Sequence, residues 1–105
     1  MPSRLDMLLD FARKQPNEPF AQYGLAIEYK NLGRLEESAT AFAELIAKHP
    51  EYTAAYLHAG NVLLQLGRRD DARATYEAGI AACRKKGDAH ALGELQQALD
   101  AMFAD

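Results

Sequence analysis

Three features of the 105-residue chain predict an all-α fold. Alanine occurs 20 times and leucine 14 times, whereas valine, isoleucine and threonine together occur 7 times. Ala and Leu lose little side-chain freedom in a helix, while β-branched residues favour strands. No apolar/polar alternation runs long enough to read as a strand. The turn residues Pro16, Gly33, Pro50, Gly67 and Gly87 cut the chain into pieces of 15 to 19 residues, a helical length.

The pieces read as six helices. The first spans about Ser3 to Gln15, where Ser3 and Asp6 have the Ser-x-x-acid spacing that satisfies first-turn amides. Pro16 and Pro19 stop it. The second starts at Pro19, whose missing N–H costs nothing in a first turn, with Asn17 or Glu18 as cap. It runs to Leu32, because Gly33 can take the left-handed conformation of a helix end. The third covers about Leu35 to Lys48, since the residue before Pro50 is pushed out of α geometry. The fourth spans about Thr53 to Gln65 and ends at Gly67. The fifth runs from about Asp70 to Lys86, with acids at its positive end and Arg84, Lys85 and Lys86 at its negative end. Asp88 caps the sixth, which carries Leu92, Leu95, Leu99, Met102 and Phe103 on one stripe.

Charge and composition exclude several classes. Fifteen acidic against 12 basic side chains give a net charge of −3, which argues against nucleic acid as partner. The single cysteine, Cys83, excludes an intramolecular disulfide and points to a reducing, cytoplasmic setting. No apolar run is long enough to insert across a membrane, and Asp6 and Asp10 interrupt the N-terminal apolar stretch where a signal peptide would not. Met1 and the capped ends read as a complete chain.

Comparison of the chain with itself at a shift of 34 residues aligns Leu32-Gly33-Arg34 with Leu66-Gly67-Arg68. It also aligns Glu36-Glu37 with Asp70-Asp71, Phe42 with Tyr76, Ile46-Ala47 with Ile80-Ala81, Ala21 with Ala55 and Ala26 with Gly60. Two helices joined at a glycine, repeating every 34 residues, resemble the tetratricopeptide repeat family. Over residues 19–52 the resemblance rests on Leu25, Ala26, Tyr29, Ser38, Phe42 and Pro50. Over residues 53–86 it rests on Tyr56, Gly60, Leu63, Ala72, Tyr76 and Gly79. Departures are Gln22 and Leu45 in the first repeat, and Ala59 and Arg84 in the second. Small residues at these positions let paired helices approach to about 8–10 Å, and aromatics fill the space beside them.

The flanks fit the same array. Leu8, Phe11 and Pro16 lie one period before Phe42, Leu45 and Pro50, so residues 3–16 read as the second half of a truncated repeat. Strict register would bury Gly93, Glu94 and Gln97 in the last helix. A two-residue shift restores Leu92, Leu95 and Leu99 to the core and implies a fifth helix longer by about half a turn, with residues 88–103 as a cap. The whole is expected to be a single domain, a right-handed array of two full repeats, a preceding half and a capping helix.

Residue chemistry points away from an enzyme. Cys83, His49, His58 and His90 lack the close-spaced pairs of a zinc site, so Cys83 is assigned to packing and the histidines to surface or turn positions. The acidic pairs and the Arg84-Lys85-Lys86 run sit where helix dipoles favour them. No phosphate-binding glycine loop or nucleophile elbow occurs. No cofactor or metal is expected.

What the resemblance implies is a binding role. First helices of successive repeats in this family line a concave groove, and the register places there Phe20, Tyr23, Ile27 and Lys30, then Ala54, Leu57, Asn61 and Leu64. The capping helix would add His90, Gly93 and Gln97. Much of this stripe is apolar beyond what the repeat core requires, which marks a binding site. Some family members use a cationic clamp for carboxylate-rich chaperone tails, but only Asn61 matches it here. The implied partner is therefore an apolar or amphipathic peptide or helix of another protein, with the chain as adaptor or scaffold. Two alternatives stand beside it. The first helix or the C-terminal tail could cover these residues, or a second copy could bury the groove or an end helix in a homodimer.

Overall fold

The computed structural model describes residues 1–104, and among them it forms six helices and no strand. They are α1 (Arg4–Lys14), α2 (Pro19–Asn31), α3 (Leu35–Lys48), α4 (Ala54–Gln65), α5 (Arg69–Lys86) and α6 (Ala89–Ala101). Helix ends differ from expectation by one or two residues. α1 stops at Lys14 with Gln15 as its cap, α2 stops at Asn31, and α6 ends before Met102 and Phe103, which lie in the following turn.

Local chemistry explains most of the helix ends. Ser3 Oγ accepts from Asp6 N at 3.0 Å while Ser3 N donates to Asp6 Oδ2 at 3.2 Å, closing a reciprocal capping box. Glu18, not Asn17, caps α2 by accepting from Phe20 N. Gly33, Gly67 and Gly87 all have φ between 76° and 81°. Those turns let Arg34 N reach Tyr29 O, Arg68 N reach Leu63 O and Asp88 N reach Cys83 O, each at 2.9 Å. Thr53 does not cap α4. Its buried hydroxyl donates instead to Asp88 Oδ2 at 2.6 Å, tying the α3–α4 turn to the start of α6. Asp88 Oδ1 accepts from Ala91 N at 3.1 Å, and these two hydrogen bonds, Thr53 first, hold its carboxyl below the usual range.

Consecutive helices pack as neighbours, and α4 also packs on both α2 and α6, so α2, α4 and α6 form one layer. α1, α3 and α5 pack against that layer from the other half of each helix pair. The result is an elongated array of 45 × 29 × 19 Å. One core cluster centres on Phe42, Leu45 and Val62, each fully buried, and a second on Tyr76, Cys83 and Leu95.

The repeat residues meet where the spacing says they should. A Cβ on Gly60 would lie 2.6 Å from Cδ1 and 2.7 Å from Cζ of the Tyr76 ring, and one on Gly79 would lie 2.6 Å from Tyr56 Cβ and 2.9 Å from Leu95 Cδ1. In the first repeat the matching approach is made by Ala26 and Ser38, whose hydroxyl donates to the Ala26 carbonyl at 2.7 Å. The departures at Gln22 and Leu45 are reciprocal. Where the second repeat sets large Tyr56 over small Gly79, the first has a half-buried Gln22 and a fully buried Leu45. In α6, Leu95 is fully buried, and Leu92 and Leu99 pack beside it, as the shifted register requires. The shift arises because α5 has 18 residues against 14 in α3, a full turn rather than half a turn longer, and the turn after it is shorter, residues 87–88 against 49–53.

Candidate binding surface

The face formed by α2, α4 and α6 carries the residues singled out by register. Phe20 at the start of α2 is 63% exposed, whereas Tyr23, Ile27 and Lys30 further along are half-buried. On α4, Ala54 is exposed and Leu57, Asn61 and Leu64 are half-buried. α6 adds exposed His90 and Gln97 and half-buried Gly93.

One sequence-based expectation needs correction here. Tyr23 and Ile27 pack against the first core cluster, and Leu57 and Leu64 against the second, so they are not surplus to the core. They form its rim, with one side embedded and the other presented. Tyr23 shows why: its ring lies 6.3 Å from Phe42, 5.4 Å from Tyr52 and 5.9 Å from His58, centroid to centroid, bridging α2, α3 and α4. Such edge and tilted contacts hold an aromatic in one orientation.

His58 is the residue that sequence reading misplaced. It is a half-buried group of mid-α4, stacked on Phe42 at 6.4 Å with an interplanar angle of 10°, its Nδ1 buried without a hydrogen-bond partner among the described residues. Burial pushes its pKa down, Lys30 from α2 adds to that, and Glu94 from α6 opposes it. The missed signal was positional: His58 follows Leu57, one residue off the groove stripe and toward α2. Burial, with Tyr52 and Glu94, likewise raises the Tyr23 phenol. Asn61 is committed inside the fold, since its Oδ1 accepts from Tyr76 OH at 2.5 Å.

Among the described residues, neither α1 nor the C-terminal turn covers this face. Among the helices α1 contacts only α2, with Leu8 Cδ2 close to Gly24 and Arg4 paired with Glu28 at 3.3 Å. The other end is drawn toward α5: Arg69 donates to the Met102 carbonyl, and the Arg73 guanidinium lies 5.1 Å from the Phe103 ring centroid. His49 caps α3 and faces Glu51 at 3.6 Å, and His90 is exposed. Cys83 is buried in the second core cluster, its thiol pushed up by burial first and by Asp88 second. Among the described residues no three His, Cys, Asp or Glu side chains gather as a metal site, and no helix is long and apolar enough to cross a membrane.

Paired helices stacked through glycine turns, repeating along the chain, define an α-helical repeat protein. Residues 23–89 match the tetratricopeptide repeat family, and the chain belongs to it. It is similar to a tetratricopeptide repeat domain protein from Salinibacter ruber, known from a solution structure at 36% identity and from a crystal structure at 35%. The solution structure superposes with a TM-score of 0.78 over 83% of this chain and 88% of that one, the crystal structure with 0.77 over 81% and 94%. A protein from Bordetella parapertussis at 22% identity has the same fold, with a TM-score of 0.82 over 97% of this chain and 89% of that one. No functionally curated protein matches. The tetratricopeptide repeat fold is generally a protein–protein interaction module.

Proposed function

We propose that this chain is a non-catalytic adaptor whose concave face takes an apolar or amphipathic peptide or helix of a partner protein. The observation that carries this reading is the uncovered apolar row of Phe20, Tyr23, Ile27, Leu57 and Leu64 along α2 and α4. Lys30 bounds the row on α2, and Asn61, whose Oδ1 is taken by Tyr76, leaves its amide N–H groups as the polar point between Leu57 and Leu64. A helix laid across such a rim buries its apolar side chains against surfaces already held rigid by the core, which limits the ordering cost of binding. The reading treats residues 1–105 as one domain, with repeats over 19–52 and 53–86 between a half repeat and a cap. It also carries a cytoplasmic setting, supported by the single unpaired Cys83.

The test begins with selection of displayed random peptides on the immobilised protein. Selected peptides should be rich in Leu, Ile and Phe, and Leu57→Lys should weaken them at least about tenfold, since an ammonium placed on an apolar contact loses its hydration. Undiminished binding to Leu57→Lys would remove this face from the site.

A second reading, self-association, is favoured by one observation at the N-terminal end. α1 buries none of its residues, and Met7, Leu9 and Phe11 are 62%, 41% and 38% exposed. A light-scattering mass of 11.6 kDa at every concentration would dismiss it, and twice that mass would support it.

A further inference from the structure

We propose a second binding site, distinct from the concave face, for a small amphipathic carboxylate: an apolar body of about the size of an eight-carbon chain carrying one anionic group. It is the cleft of about 500 Å³ between α5 and the α3–α4 turn. Pro50 and Tyr56 form one wall, Ala78, Ala81 and Ala82 the other, and Lys85 and Lys86 stand at one end.

Its apolar character is not a demand of the repeat. One period earlier, α3 has Glu44 and Lys48 where α5 has Ala78 and Ala82. The second repeat alone therefore replaces two charged side chains by methyl groups, which both empties the space and makes it apolar. The size lies within the range of pockets that enclose small ligands. Tyr56 is held as a rigid wall, buried and with its hydroxyl donating to the Pro50 carbonyl at 2.6 Å.

The charges at the mouth select the ligand's sign. Lys86 Nζ donates to the Glu51 carbonyl oxygen at 3.3 Å, pinning the turn across α5. Lys85 makes no hydrogen bond or ion pair among the described residues, so its ammonium is available to a ligand. The one acid at the rim, Glu51, faces His49 Nδ1 at 3.6 Å. Lys86 is already set near Glu51 and Asp88, so the charge offered to a ligand at the mouth is that of Lys85. An anion paired with Lys85 while its apolar body covers the alanines satisfies both features. A neutral apolar ligand leaves the charge unused, and a highly charged one leaves the wall unused.

The experiment is an NMR titration of the intact chain with octanoate and, in parallel, with octanamide, the neutral counterpart of equal length. Octanoate should give saturable shifts at Tyr56, Ala78, Ala81 and Ala82, and octanamide should bind at least about tenfold more weakly. Lys85→Gln should weaken octanoate about tenfold and leave octanamide unchanged. Ala78→Leu, an exposed helical position tolerant of leucine, should block both by filling the cleft. Leu57→Lys should leave octanoate binding intact, so failure of the concave-face reading and failure of this one are told apart. Absence of saturable shifts in the cleft, equal binding of acid and amide, or shifts confined to α2 and α4 would overturn the proposal. So would tighter binding of a short acidic peptide than of octanoate in the same cleft, which would reassign it to protein ligands.

Discussion

Replacing Gly60 by alanine tests the helix-packing logic at its tightest point. The new Cβ would sit 2.6 Å from Cδ1 of Tyr76, and the ring has little freedom to retreat: Tyr76 is 1% exposed and its hydroxyl is bonded to Asn61. Overpacking a filled core costs about 1–3 kcal/mol, and a contact against a rigid ring belongs near the upper end of that range. Alanine's better helix propensity returns about 1 kcal/mol, leaving a net loss of about 1–2 kcal/mol. At about 4–8 °C per kcal/mol for a domain of this size, the melting temperature should fall by about 5–15 °C. Gly93→Ala is the matched control, because that glycine also lies inside a helix but a Cβ there meets nothing within 4 Å. It should stabilise by about 0.5–1 kcal/mol. Thermal unfolding followed by far-ultraviolet circular dichroism reads both. A Gly60→Ala protein as stable as wild type, or shifts of the same sign for the two variants, would refute the reasoning.

Three further outcomes are expected. Phe20→Ser should change stability by no more than about 0.5 kcal/mol in chemical denaturation, because the ring is largely exposed, while weakening selected peptides. His58 has a folded-state pKa below its unfolded value, so an unfolded chain takes up a proton below about pH 6.5 that the folded chain resists. Its contribution is thus intact above that pH and lost as pH falls through it. The urea midpoint should drop between about pH 7.5 and 5.5, and His58→Phe should shrink that drop. Cys83, buried with its thiol pushed up, should react with a disulfide-exchange reagent at least about 100-fold more slowly in the folded than in the urea-unfolded protein.

Features carried by short-range chemistry were legible in the sequence. Ser3 and Asp6, Gly33 and Gly67, and the 34-residue pairing of Ala26 with Gly60 each act through neighbours a few residues away or through a fixed repeat. The register shift of α6 was legible too, because only one placement turns Leu92, Leu95 and Leu99 together toward the core, where Leu95 is buried and the other two pack beside it. Features that depend on distant partners were not. Thr53 read only as the start of the fourth helix, and nothing in its neighbourhood signals that its hydroxyl donates to Asp88, 35 residues away. His58 looked like a surface group because nothing local announces that Tyr23 and Phe42 converge on it. That Tyr23, Ile27, Leu57 and Leu64 share one face of α2 and α4 was legible, yet their half-embedded state was not, since one stripe position can face both the core rim and solvent. The cleft beside Lys85 joins residues about 30 apart, and its emptiness follows from methyl groups whose spacing resembles an ordinary helix face.

Mapping a selected peptide on the intact chain by NMR tests the central claim most directly. Shifts should concentrate on Phe20, Tyr23, Ile27, Leu57, Asn61 and Leu64, and vanish for the same peptide with Leu57→Lys. Shifts confined to α1, or to the α3 and α5 side of the array, would contradict the concave-face reading.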